Sequence, residues 1–158
     1  MAFHDLRHIQ ARFPPAKPSP DSAKAARILF VDDQPVMRAL LAEHLRLQGY
    51  AVMEASNAFQ ALTALSSGDI FDLLITDIDL PGDFDGLELA RLVKDALPAT
   101  KVIALSGSAR LPGKAGAIDR FMRKPATSQQ IRRRVNEMLR PAPIRPGAIG
   151  RFHLGLPR

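Results

Sequence analysis

Short apolar runs alternate with amphipathic segments along the middle of the chain, and this alternation restricts the fold more than any other feature. The runs RILFV at 27–31 and FDLLIT at 71–76 are mostly apolar on both faces, which is typical of fully buried strands. The segments between such runs carry apolar residues at helical spacing. Buried strands separated by helices form a parallel sheet that is covered on both sides. The sequence therefore predicts an α/β fold with a doubly wound parallel sheet.

Five strands and four helices are expected in this part of the chain. The strands are predicted at 27–31, 50–55, 71–76, 101–105 and 119–122, and the helices at 35–49, 57–69, 86–98 and 127–140. Pro35 suits a first helical turn, Gly49 and Gly68 suit helix ends, and Thr127 is a candidate N-cap. Successive strands are thus joined by a helix everywhere except after the fourth strand.

The stretch SGSARLPGKAGAI at 106–118 interrupts the alternation. Gly107, Pro112, Gly113 and Gly116 lie where a helix is due. In a helix interior glycine costs about 1 kcal/mol and proline about 3 kcal/mol relative to alanine. We therefore expect the helix between the fourth and fifth strands to be short or replaced by a loop.

The positive charge of the chain is confined to its two ends. The 158 residues carry a formal net charge of +6, but 14 basic and 14 acidic residues balance between Arg27 and Leu139. Residues 1–26 and 141–158 are basic and rich in proline, so they are interpreted as extensions of one domain at 27–140. We expect no output domain after Arg140, because the 18 residues there are too few to fold alone. Beyond Arg151–His153 the ends lack interleaved aromatic and basic residues, which argues against nucleic acid as a partner.

Composition excludes several classes of protein. The chain has no cysteine, so disulfides and thiolate metal sites are ruled out. It has no run of about 18 apolar residues and no signal-peptide pattern, so we expect no membrane insertion and a cytoplasmic location.

Polar side chains follow four of the five predicted strands at their carboxyl ends. In an open parallel sheet these ends meet at one edge, and ligands bind there. We therefore expect carboxylates, a hydroxyl and an ammonium to converge at that edge. The residues are Asp32 and Asp33 after the first strand, Asp77 and Asp79 after the third, Ser106 after the fourth and Lys124 after the fifth.

Clustered carboxylates are normally avoided because they repel one another, and a hard cation such as Mg²⁺ removes that cost. A carboxylate can also act as a nucleophile, and its attack on a phosphoryl group gives an acyl phosphate. A lysine and a metal would neutralise the incoming phosphoryl oxygens, and a serine can donate a hydrogen bond to one of them. The predicted edge is therefore suited to phosphoryl transfer.

Each of these residues has a simpler interpretation when taken alone. Asp33 lies just before Pro35 and could cap the following helix. DFDG at 83–86 could be a plain turn that uses Asp83. Ser106 or Lys124 in isolation indicates nothing. The functional interpretation depends on their order after successive strands.

Four motifs carry a family resemblance over about Arg27–Arg140. They are ILFVDDQPVMR, LLITDIDLPGDFDGLEL, VIALSGS and FMRKP. The chain resembles the receiver (CheY-like) domain of bacterial two-component response regulators. The resemblance implies a flavodoxin-like fold of strand order 2-1-3-4-5, Mg²⁺ as cofactor, and phosphoryl transfer from a histidine kinase or a histidine phosphotransfer protein.

The resemblance also implies a role for individual residues. Asp77 would be the phosphoacceptor, Asp33 would bind Mg²⁺ directly and Asp32 mainly through water, and the backbone carbonyl of Asp79 would be a further ligand. The remaining roles are Ser106 as the switch hydroxyl, Lys124 as its ion partner, Phe121 as the rotating aromatic, and a cis bond at Lys124–Pro125.

Three departures from the family pattern bear on function. The loop LPGDFDG is one residue longer than usual, and Asp79 places a carboxylate where many relatives carry a neutral residue. The distance from Ser106 to Phe121 is several residues short, which affects the face commonly used for dimerisation. We therefore expect a monomer or a weak dimer.

The sequence predicts a single-domain response regulator that is not an enzyme. It would be phosphorylated on Asp77 and act as a phosphorelay intermediate or as a switch that binds a downstream protein. One alternative is a receiver-like scaffold without phosphoryl transfer, and another is a regulator that binds nucleic acid through its basic ends.

Overall fold

Five short parallel strands form the centre of the fold. The computed structural model describes residues 25–107 and 115–139 of the chain. Its strands lie side by side in the order β2-β1-β3-β4-β5, which confirms the predicted sheet. They are β1 (Arg27–Val31), β2 (Ala51–Ala55), β3 (Leu73–Asp77), β4 (Lys101–Ser106) and β5 (Arg120–Arg123).

Helices cover both faces of the sheet. They are α1 (Pro35–Arg46), α2 (Ala58–Ser66), α3 (Gly86–Ala96) and α4 (Ser128–Leu139). Side chains alternate across each strand, so Ile28 and Phe30 of β1 pack with α1 and α4, while Leu29 and Val31 pack with α2 and α3. The five residues of β3 are all buried, as expected of a central strand covered on both sides.

The helix starts settle two of the sequence interpretations. Thr127 Oγ1 accepts a hydrogen bond from Gln130 N at 3.2 Å, so the expected cap of α4 is confirmed. The suggestion that Asp33 caps α1 is wrong. The N-cap of α1 is Gln34, whose side chain makes no capping bond, and Pro35 fills the first turn as expected.

Strand ends and helix ends differ from the prediction by a few residues. Asp77 and Ser106 are the last residues of their strands and do not follow them. Helix α1 stops at Arg46, because the chain leaves it through a turn that brings Gly49 to a φ of 90°. This positive φ favours glycine. Gly49 therefore does mark the end of this helical segment, as predicted, but the helix itself ends at Arg46 and not at Gly49.

The connection between β4 and β5 is described only in part. Its described residues contain one turn of 3₁₀-helix at Ala115–Ala117 and no α-helix. Residues 108–114, which include two of the predicted helix breakers, lie outside the described residues. The predicted extensions 1–26 and 141–158 also lie outside them, apart from residues 25 and 26. Within the described ranges, no helix has the length and apolar character needed to cross a membrane.

Truncating a central strand residue tests this account of the core. Ile75 of β3 is fully buried, so Ile75→Ala should lower the free energy of unfolding by about 2–5 kcal/mol. Ile70 is 47% exposed, and the same change there should alter the free energy of unfolding by no more than about 0.5 kcal/mol. Urea unfolding of both variants measures the difference. Equal losses at the two positions would contradict the described packing.

Candidate functional site

Asp77 occupies the centre of the site, at the carboxyl end of β3. Its side chain is almost completely buried, and both carboxylate oxygens accept hydrogen bonds. Oδ2 accepts from Lys124 Nζ at 2.5 Å, and Oδ1 accepts from the backbone N of Asp79 at 3.0 Å. These donors hold the carboxylate in one orientation and offset its burial.

Lys124 approaches Asp77 from the residue just after β5. Its backbone N donates to the carbonyl oxygen of Ser106 at 2.7 Å, which continues the pairing of β5 with β4 by one residue. Burial lowers the pKa of Lys124, but its hydrogen bonds to Asp77 and Asp32 outweigh burial and raise that pKa above the ordinary lysine value. The side chain is therefore an ammonium at neutral pH. The Lys124–Pro125 bond is cis, as the resemblance implied.

Asp32 and Asp33 lie beside Asp77 at the end of β1. Asp32 is buried, and its Oδ2 accepts from Lys124 Nζ at 3.0 Å, whereas Asp33 is exposed. Asp32, Asp33 and Asp77 can each offer one carboxylate oxygen, and these three oxygens lie within 4.8 Å of one another. A set of ligands made only of oxygen fits a hard divalent cation, so the residues present suit Mg²⁺.

Ser106 and Asp79 complete the group of residues that the sequence analysis singled out. The Ser106 side chain is buried at the end of β4, and its hydroxyl donates to Asp79 Oδ2 at 3.3 Å. Phe121 is half-buried on β5 and is paired in register with Ala104, two residues before Ser106. The structure thus brings the carboxylates, the hydroxyl and the ammonium to one edge of the sheet, as expected.

Two supporting residues were missed by the sequence analysis. Arg38 of α1 donates from a guanidinium nitrogen to the carbonyl oxygen of Asp32 at 2.7 Å. Helical side chains lean toward the helix N-terminus, so the position of Arg38 one turn into α1 was a usable signal. Gly86 is the other, because a Cβ atom there would lie 1.7 Å from the backbone oxygen of Asp77. No local pattern in the sequence indicates that close approach.

A sheet of order β2-β1-β3-β4-β5 with an acidic carboxyl edge places the chain among the doubly wound α/β proteins that bind ligands at that edge. The family model of the response regulator receiver domain matches residues 28–136, which is well over half of the chain. The chain therefore belongs to the response regulator receiver family, and the resemblance drawn from its motifs is confirmed. Receivers of this family take part in two-component signalling, where phosphorylation and Mg²⁺ binding are typical.

Individual proteins show the same likeness. The transcriptional regulatory protein TcrA of Mycobacterium tuberculosis is 32% identical over 122 residues, which cover 75% of this chain and 47% of TcrA. The sensor protein EvgS of Escherichia coli is 33% identical over 75% of this chain and 10% of EvgS. The chain thus spans about half the length of one relative and a small part of the other.

A solved structure agrees with the fold. The response regulator protein TrrA of Thermotoga maritima, crystallised in complex with Mg²⁺–BeF, has a TM-score of 0.66 and 34% identity. The match covers 72% of this chain and 99% of TrrA. The Mg²⁺ and BeF in that crystal belong to TrrA, but its likeness makes the same reagents suitable probes for this chain.

The acidic cluster predicts stabilisation by Mg²⁺. A ligand at 100 times its dissociation constant should raise the free energy of unfolding by about 2.7 kcal/mol if it binds only the folded chain. Asp33→Asn should abolish most of this gain, because Asp33 is one of the three clustered carboxylates and is exposed enough to be replaced without loss of the fold.

Thermal unfolding with MgCl₂, and with NaCl at matched ionic strength, measures the Mg²⁺ effect. Asp83→Asn is the control, because it removes the same charge from an exposed residue outside the cluster. A wild-type chain whose melting temperature does not respond to Mg²⁺ would count against a metal site.

Proposed function

We propose that Asp77 accepts a phosphoryl group from the phosphohistidine of a histidine kinase or a histidine phosphotransfer protein. The chain then acts as a phosphorelay intermediate or as a switch that binds a downstream protein. The observation that carries this proposal is the position of Asp77. It is a buried carboxylate held 2.5 Å from a lysine ammonium and beside two further carboxylates. A nucleophile, a cation and an oxygen-rich metal site are the parts that phosphoryl transfer needs.

The chemical step is a displacement at phosphorus. A carboxylate oxygen of Asp77 attacks the phosphorus of the donor, the P–N bond breaks, and the imidazole leaves with the electron pair of that bond. The product is an acyl phosphate on Asp77. Lys124 offsets the charge of the transferring group, and Ser106 can donate a hydrogen bond to one of its oxygens. When bound by Asp32, Asp33 and Asp77, Mg²⁺ would supply further positive charge to the phosphoryl oxygens.

Removal of the nucleophile tests the proposed step. Asp77→Asn keeps the size of the side chain but replaces the nucleophilic carboxylate with a neutral amide. We expect no stable phosphoryl adduct on Asp77→Asn after incubation with Mg²⁺ and acetyl phosphate, and one adduct per chain on the wild type. Intact mass spectrometry measures the adduct, and Asp83→Asn should label like the wild type.

The outcome of the labelling separates the proposal from its first alternative. Full labelling of Asp77→Asn would mean that another residue accepts the phosphoryl group. An unlabelled wild type would favour a receiver-like scaffold that binds partners without phosphoryl transfer. The close contact of Lys124 with Asp77 supports the phosphoacceptor, because it places a cation beside the oxygen that would carry the phosphoryl group.

A docking surface for the phosphodonor adjoins the site. Since Asp77 is buried, a donor histidine must reach it past the side chains around the rim. The first turns of α1, which follow Asp32 and Asp33 in the chain, expose Val36 by 69%, Met37 by 43% and Leu40 by 62%. Met37 also lines a groove that extends to Asp32 and Lys124 and has an apolar floor between α1 and α4. We assign this surface to the histidine-bearing donor, because the groove is lined by Lys124, which contacts Asp77.

A charge placed on α1 tests the assigned surface. Leu40→Glu should slow phosphoryl transfer from a phosphotransfer protein chosen because it labels the wild type, since a carboxylate in an apolar contact must be desolvated. Labelling by acetyl phosphate should not change, because that small donor needs no docking surface. Leu47→Glu is the control, because Leu47 is 73% exposed but lies about two turns further from the site. Equal slowing by both substitutions, or by neither, would contradict the assigned surface.

The remaining expectations stay predictions. A histidine kinase as donor implies a cytoplasmic location, and the switch role implies that the chain is not itself an enzyme. Binding of nucleic acid through the basic ends concerns residues outside the described ranges.

A further inference from the structure

Four residues of the site are joined in a closed ring of hydrogen bonds. Asp77 Oδ2 accepts from Lys124 Nζ, and the Lys124 backbone N donates to the Ser106 carbonyl oxygen. The Ser106 hydroxyl donates to Asp79 Oδ2, and the Asp79 backbone N donates back to Asp77 Oδ1. Asp79 therefore contacts the phosphoacceptor through its backbone and the switch hydroxyl through its side chain.

The bond between Ser106 and Asp79 is the weak member of this ring. Its length of 3.3 Å is well beyond the usual 2.7–2.8 Å of a bond from a hydroxyl to an oxygen. The Asp79 side chain is exposed, so it can turn into water at little cost. The other three bonds measure 2.5, 2.7 and 3.0 Å, and each involves the backbone or a charged pair. If one bond of the ring breaks during signalling, the bond from Ser106 to Asp79 is the one expected to do so.

The hydroxyl proton creates a competition between two acceptors. A serine hydroxyl has a single proton and therefore donates one hydrogen bond, and a carboxylate can only accept. While Ser106 donates to Asp79, the same proton is not available to a phosphoryl oxygen on Asp77. A hydrogen bond from Ser106 to that oxygen therefore requires the bond to Asp79 to break.

Charge repulsion supplies a reason for the Asp79 bond to break. Among residues 25–107 and 115–139, no basic side chain forms an ion pair with Asp79. A phosphoryl group on Asp77 adds negative charge within the same ring. The Asp79 carboxylate is then repelled toward solvent, which breaks its hydrogen bond from Ser106.

We propose that the Asp79 side chain is a latch that keeps the Ser106 hydroxyl engaged until a phosphoryl group on Asp77 displaces it. The latch rests on the proposed function, because it needs Asp77 to be the phosphoacceptor. Asp79 is a positioning residue here, since it acts through Ser106. By linkage, the latch stabilises the unphosphorylated state and weakens binding of any phosphoryl mimic to the same extent.

A double-mutant cycle on Asp79 and Ser106 tests the latch. The measured quantity is the dissociation constant of beryllofluoride, determined by titration calorimetry at saturating Mg²⁺. The four chains are the wild type, Asp79→Ala, Ser106→Ala and the double variant. Asp79→Ala keeps the backbone N–H that donates to Asp77, so it removes only the side chain. Asp83→Ala is the matched control, because it removes an exposed carboxylate from the same loop.

The latch predicts a result that depends on the hydroxyl. Asp79→Ala should tighten beryllofluoride binding by at least about fivefold when Ser106 is present. The gain should largely disappear in the Ser106→Ala background, and Asp83→Ala should leave binding within about twofold of the wild type. In the free Asp79→Ala chain, the amide resonances of Ser106 and Gly107 should move toward their positions in the beryllofluoride complex.

Three other outcomes would each overturn either the latch or the proposed function. An equal gain in both backgrounds would mean that Asp79 acts by charge alone, and no gain at all would mean that it does not restrain Ser106. Either result overturns the latch while leaving Asp77 as the phosphoacceptor. A folded wild-type chain that binds no beryllofluoride would instead overturn the proposed function.

Discussion

The ammonium of Lys124 is the interaction on which the rest of the site depends. Asp77 and Asp32 are almost fully buried at the carboxyl edge of the sheet, where two carboxylates repel each other and have lost most of their hydration. Lys124 Nζ lies 2.5 Å from one and 3.0 Å from the other, so one cation offsets both charges. Breaking a buried pair is costly because the remaining charge is left uncompensated. The ammonium therefore stabilises the pocket and also lies beside the oxygen that would carry a phosphoryl group.

Parallel pairing of β3, β4 and β5 brings Lys124 and Asp77 next to Ser106 at the end of β4. Asp77 is paired in register with Leu105, which places the proposed phosphoacceptor next to the end of β4, where Ser106 lies. The strands are held by a buried core on both faces, whereas the Asp79 side chain is exposed between the buried residues Ile78 and Leu80. A charge added at Asp77 can thus be transmitted to Ser106 by the movement of one exposed side chain. The core does not have to move, which suits a domain that must switch without unfolding.

The sequence by itself determined the class of fold and predicted which polar residues gather at the site. Apolar runs such as RILFV can be buried on both faces only in a covered parallel sheet, and acidic residues at the carboxyl ends of such strands must meet at one edge. The strand order 2-1-3-4-5 came from the motif resemblance, since periodicity does not say which strands are neighbours. Local signals such as Pro35 and Thr127 located the helix starts well, because capping acts over a few residues.

Only the tertiary structure decided which groups of the site touch one another. The bond from Ser106 to Asp79 and the bond from Arg38 to the Asp32 carbonyl depend on how loops and α1 pack across the strand ends. Glycine is required at position 86 because α3 begins against the backbone of β3, a distance that no sequence pattern encodes. Secondary structure follows from preferences that act within a few residues, whereas these contacts depend on distances set by the whole sheet. The sequence could therefore predict an acidic edge that includes a serine and a lysine, but the hydrogen bond from Ser106 to Asp79 became visible only in the folded chain.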